Sequence, residues 1–137
     1  MLERNIYLID TNIIMRFLTR DDERLYQEAE KLMAGIERNE VRAILLESVL
    51  AECVYVLKGV YGVERPVIAM LLKKILALKG IRIANKHVYM KALDYFETHN
   101  LDFVDCLLQA FCESQEGKLL SFDKKLVKFS QMQGGTS

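Results

Sequence analysis

Two apolar runs in this chain end abruptly in an acid: Tyr7, Leu8 and Ile9 lead to Asp10, and Leu119, Leu120, Ser121 and Phe122 lead to Asp123. Two further acids, Glu52 and Asp105, interrupt segments that are otherwise apolar. A strand ending in an acid places it at the carboxyl edge of a parallel sheet, where open α/β sheets hold their ligands. Helices that follow such strands start at that same edge, which adds Glu52 and Asp105 to the set. Four carboxylates gathered there repel. At about 5 Å and an effective dielectric near 20, each pair costs about 3 kcal/mol. Protonation or a cation must offset this. A hard divalent ion suits all-oxygen donors, and Mg²⁺ or Mn²⁺ is the natural choice. Such an ion activates water and clamps a phosphoryl oxygen, so metal-assisted phosphodiester hydrolysis is the leading chemistry. His87 and His99 have no metal-ligand spacing to each other or to a cysteine, and read as surface or capping residues.

Each acid also has a plainer reading. Asp10 and Asn12 are good helix N-caps. Glu52 can point outward or favour a helix N-terminus electrostatically, although an ionised Glu on a buried helix is costly unless paired or bound to a cation. Asp102 and Asp105 are three apart and resemble a capping box. For Asp102 the cap stands level with a functional role. For Asp105 it is weaker, because Val104, Leu107, Leu108 and Phe111 place its helix in a core.

The elements that must position these residues alternate between strand and helix. After the first strand and the turn into Ile13, Ile14 and Met15, the polar break from Arg20 to Glu23 precedes an amphipathic helix at residues 23–37. Residues 41–46 read as a second strand. Ser48 is the expected N-cap of a buried helix at 49–60, with Gly62 as its C-terminal glycine. Pro66 suits the first turn of the next helix, followed by a short strand at 81–83 and a helix at 87–97. Another helix opens around Asp102, and residues 119–123 read as a further strand. Lys124, Lys125 and Lys128 follow on a short helix, and residues 133–137 look frayed. The alternation predicts a parallel sheet with helices on both faces.

Composition bounds the partners. The 137 residues suggest one domain, and 51% hydrophobic content is enough for a sizeable core. Nineteen basic and nineteen acidic residues leave no global basic field, so nucleic acid would need a local patch. Arg16 and Arg20 after Asp10, with Lys124 and Lys125 after Asp123, are the candidate phosphate contacts. The alternative is a solvated charged face. Three cysteines without a CxxC pair point to a reducing cytosol. No signal peptide or membrane-spanning run is expected.

Taken in order, Asp10-Thr11-Asn12, Glu52 in a buried helix, Asp105-Cys106-Leu107-Leu108 and Ser121-Phe122-Asp123 resemble the PIN-domain nuclease pattern. The size and order are similar to the toxin ribonucleases of VapBC toxin–antitoxin systems. The resemblance spans nearly the whole chain. It implies a three-layer α/β fold in a single domain, with a central parallel sheet of four to five strands and helices on both faces. It implies a Mg²⁺- or Mn²⁺-dependent endoribonuclease acting on single-stranded RNA, a homodimer, and a small antitoxin that blocks the site. Asp10, Glu52, Asp105 and Asp123 would bind metal, with Asp102 as a further candidate. Asn12 and Ser121 would orient ligands or water. No clear final strand follows Asp123, which departs from the pattern. An aspartyl phosphatase would want a second acid two residues after Asp10, where Asn12 stands. A catalytically silent PIN-fold binding module would be expected to lose one of the acids, and all four are present. The antitoxin's apolar segment is expected in a groove between the helix of Leu25, Leu32 and Met33 and that of Ile68, Leu71 and Leu72.

Overall fold

The computed structural model describes residues 6–134. The expected start of the first strand at Asn5 and the end of the tail, residues 135–137, lie outside the described residues. The chain divides into two compact units, which meet in sequence between Ala84 and Asn85.

The first unit runs β1 (Ile6–Leu8), α1 (Thr11–Thr19), α2 (Glu23–Glu37), β2 (Arg42–Ile44), α3 (Glu47–Gly59), α4 (Arg65–Ala77) and β3 (Ile81–Arg82). The strands form a parallel sheet in the order β1-β2-β3, with Tyr7 opposite Ala43 and Ala43 opposite Ile81. Parallel pairing requires helical crossovers, here α1 with α2 and then α3 with α4. Ile14, Leu50, Leu57, Ile68, Leu72, Ile75 and Leu76 fill the core. Two local signals work as read. Asp22 caps α2 by accepting from Leu25 N at 3.0 Å. Pro66 sits in the first turn of α4, where its missing N–H costs nothing. The C-cap of α3 is Val60, and Gly62, expected there, lies two residues beyond it at φ +65°, a left-handed conformation that glycine takes at no steric cost. Gly80, entering β3, has no room for a side chain: a Cβ there would lie 2.1 Å from Val41 O.

The second unit is helical: α5 (Lys86–Thr98), α6 (Phe103–Ser114) and α7 (Lys124–Gly134). Phe96 and Phe103 meet edge to face at 6.0 Å in its core. Tyr95 donates a hydrogen bond to Glu113, to which the buried Gln109 also donates, at 2.7 Å.

Several expectations are corrected. The sheet has three strands among the described residues, not four to five. Residues 119–123 form no strand, and Leu120 and Phe122 are fully exposed. An apolar run becomes a strand only where its backbone finds ladder partners, and residues 119–123 are assigned none among the described residues. β1 is a strand, but not one buried on both faces. It is an edge strand, as β3 is, and Ile6, Tyr7 and Leu8 are each more than half exposed, whereas Ile9 beyond it is buried. The N-cap of α3 is Leu46 rather than Ser48, because the helix starts two residues early. Gln133 and Gly134 belong to α7 instead of a frayed tail. The helix residues expected to line a partner groove mostly turn inward: Met33, Ile68 and Leu72 are core, while Leu32 remains exposed.

Candidate active site

In the first unit the site begins where β1 ends. Asp10 occupies the N-cap position of α1 with extended backbone (φ −91°, ψ 150°). Its carbonyl accepts from Ile13 N at 3.1 Å, but its carboxylate makes no capping bond. The capping alternative therefore accounts for its backbone and not for its charge. Asn12, the second residue of α1, is exposed. Thr11 lies between them and is only 7% exposed. Its Oγ1 donates to Oε1 of Glu52 on α3 at 2.6 Å. That length is typical of a charge-assisted O–H···O⁻ bond. Glu52 is itself exposed, so α3 is not apolar all round, and Cys53 beside it is fully buried. Burial, then the negative charges of Glu52 and Asp10, push the Cys53 thiol up to about 12. The cysteine is inert at neutral pH, and both carboxylates lie close enough to act on it.

Sequence reasoning assigned Thr11 no role. The signal was present: Thr11, Ile14 and Met15 share the helical spacing of α1's buried stripe. A hydroxyl on such a stripe must find a partner.

In the second unit Asp102 holds the N-cap position of α6 without a side-chain cap bond, and Asp105 stands half-buried in the first turn. Burial, then the charges of Asp102 and Asp123, raise the Asp105 carboxyl above its ordinary range, with Lys125 opposing. Asp123 does cap: its Oδ1 accepts from Lys125 N at 3.0 Å and Leu126 N at 3.1 Å at the start of α7. Ser121 Oγ accepts from the backbone N–H of Asp123 at 2.9 Å. Ser121 thus shapes the turn that presents Asp123. His99 caps α5 through its backbone and packs its ring 4.6 Å from Phe129, as the capping expectation required.

Three of the four candidate phosphate contacts are engaged. Arg16 pairs with Asp21 at 3.1 Å, and Asp21 also accepts from Tyr61 Oη at 2.8 Å and Thr19 Oγ1 at 3.1 Å. The hydrogen bond from Tyr61, with those from Thr19 and Arg16, holds the Asp21 carboxyl below its ordinary range. Arg20 makes a two-pronged contact with Glu23 and lies over the Tyr26 ring at 4.2 Å. Lys125 donates to the carbonyl of Asn100, and Lys124 is exposed.

The structure thus brings Asp10, Thr11 and Glu52 together in one unit, and in the other sets Asp102 and Asp123 close enough to Asp105 for their charges to act on it. Among the described residues, no three His, Cys, Asp or Glu side chains already form a metal-binding group. The donor chemistry nevertheless fits a hard divalent cation: every metal-ligand candidate is a carboxylate, and burial, then the charges of Asp102 and Asp123, raise the Asp105 carboxyl. Among the described residues no helix is long and apolar enough to cross a membrane.

Comparison with known proteins returned no matching curated protein and no matching solved structure. The family model for the PIN domain matches residues 7–132, a span that includes every acid discussed above and runs through both units. PIN domains are generally nucleases and typically use divalent metals. By that match the chain belongs to the PIN-domain family.

Proposed function

We propose that this protein is a Mg²⁺- or Mn²⁺-dependent endoribonuclease that cleaves single-stranded regions of RNA and serves as the toxin of a type II toxin–antitoxin pair. One observation carries the chemistry. Asp10 and Glu52 converge where β1 gives way to α1, and among the described residues no lysine or arginine neutralises either. Uncompensated carboxylates at a sheet's carboxyl edge call for a cation.

By the family pattern in the sequence, Asp10, Glu52, Asp105 and Asp123 are the proposed metal-binding residues, with Asp102 as a further carboxylate. When bound, the ion supplies an activated water and charge neutralisation at a phosphoryl oxygen. The remaining work falls to the chain. The Asn12 amide, exposed at the start of α1, can donate to a phosphate oxygen. Ser121 accepts the Asp123 N–H and keeps its hydroxyl proton for a water or phosphate. Arg16, Arg20, Lys124 and Lys125 would meet flanking phosphates, the arginines by exchanging Asp21 and Glu23 for RNA. A single domain working as a cytoplasmic homodimer, restrained by a small antitoxin, completes the proposal.

The test is cleavage of an unstructured RNA with Mn²⁺, with Mg²⁺ and with EDTA, for the wild type and Asp10→Asn. Cleavage that needs metal and Asp10 is the expected result. Equal cleavage in EDTA would remove the metal mechanism. RNA binding without cleavage under any condition would favour a silent binding module. Light scattering of the purified chain tests the dimer.

A further inference from the structure

We infer that Thr11 is a positioning residue that presets the carboxylate of Glu52 for a divalent ion. The inference rests on the metal-dependent reading above and deepens it. Thr11 and Gln109 are the two buried polar residues among the described core. The Thr11 hydroxyl joins residues 41 apart in sequence, through a bond of 2.6 Å to Glu52 Oε1. A carboxylate can only accept, so the threonine proton points at Glu52. Threonine is β-branched and stiff at χ1, and the first turn of α1 packs around it with Ile14 and Met15 buried. The hydroxyl is therefore fixed before any ligand arrives.

The effect falls on Glu52. Its long side chain starts on an exposed position of α3 and would otherwise sample several rotamers. Holding Oε1 toward Thr11 fixes the carboxylate plane and leaves Oε2 for another partner. Because Thr11 follows Asp10 directly, the same bond ties Glu52 to the strand end that carries the second carboxylate. The two acids are held in register by one neutral group, which adds no positive charge to compete with a metal. Hydrogen-bond partners of metal-binding carboxylates matter to affinity on the order of 10- to 100-fold.

The experiment measures Mn²⁺ binding to the full chain by electron paramagnetic resonance of the free ion, without substrate. Wild type, Thr11→Ser and Thr11→Val are compared, with circular dichroism melts in EDTA as a folding control. Valine keeps the shape and removes the donor; serine keeps the donor. Thr11→Val is expected to bind Mn²⁺ about 10-fold or more weakly, with Thr11→Ser within about threefold of wild type on the same scale. If folded Thr11→Val binds Mn²⁺ as wild type does, Thr11 is only a link between α1 and α3 and the inference is overturned. If Thr11→Ser is as weak as Thr11→Val, packing rather than the hydroxyl is responsible, and the inference is overturned equally. A wild type that binds no Mn²⁺ would overturn the metal reading itself, an outcome distinct from the other two.

Discussion

At the residue scale, charge repulsion makes the clearest prediction, at Asp105. Its carboxyl is raised by burial and by the nearby Asp102 and Asp123. An acid whose folded pKa is raised destabilises the native state once ionised. The penalty is absent below the unfolded pKa, about 3.9, grows as pH rises through the folded value, and is complete above it. Asp105→Asn keeps the shape and removes the charge. In EDTA at pH 7 it should therefore melt higher than wild type, by less than about 1 kcal/mol because the group is partly exposed. Near pH 3 the two proteins should melt alike. Mg²⁺ should raise the wild type's melting temperature by mass action and the variant's much less. Thermal melts at both pH values, with EDTA and with Mg²⁺, decide the matter. If Asp105 were only a first-turn acid favouring the helix dipole, the variant would instead lose about 0.5 kcal/mol at pH 7 and keep its Mg²⁺ response.

At the element scale, the segment before α7 separates what a strand needs from what an apolar run supplies. Leu120 and Phe122 are fully exposed, and residues 119–123 pair with no strand among the described residues. The segment's visible role is to present Asp123 through the Ser121 turn and the cap of α7. The double variant Leu120→Ser, Phe122→Ser should then stay within about 0.5 kcal/mol of wild-type stability. Phe103→Ala, which empties a fully buried site on α6, should cost about 3–5 kcal/mol. Urea denaturation of the three proteins is sufficient. A loss of about 2 kcal/mol or more in the double variant would mean that the segment is buried in solution. The same logic applies to β1: its apolar residues are exposed while Ile81 on β3, the other edge strand, is buried, so burial follows what packs on a strand and not its place in the sheet.

For the whole molecule, balanced charge limits how a nucleic acid, RNA in the proposal above, can be held. With a formal net charge of zero, binding depends on a few local cations rather than a field. Arg16 and Arg20 must give up Asp21 and Glu23 to reach phosphate. Four contacts on a single strand give a slope of log K against log salt of about −3 at most. Arg16→Ala should make that slope shallower by about 0.7. Fluorescence anisotropy with a labelled RNA across a salt series, using Asp10→Asn to prevent cleavage, measures both. An unchanged slope would remove Arg16 from the interface, and a slope much steeper than −3 would require cations beyond these four.

The sequence by itself determined where some elements start or stop, though not the start of α3 or the extent of α7. Periodicity placed α2 at its observed bounds, and Pro66 and Gly62 marked helix ends, because those signals act within a few residues. It also determined the order of the acids, and with it the family. Only the tertiary structure decided which apolar runs are covered. β1 and residues 119–123 read alike as buried strands, yet burial depends on neighbours distant in sequence. It alone decided that the carboxylate of Asp123 caps a helix while those of Asp10 and Asp102 do not. The bond from Thr11 to Glu52 was equally hidden, since it spans 41 residues. The helical spacing of Thr11 shows that its hydroxyl must find a partner, but only packing of α1 against α3 says which one.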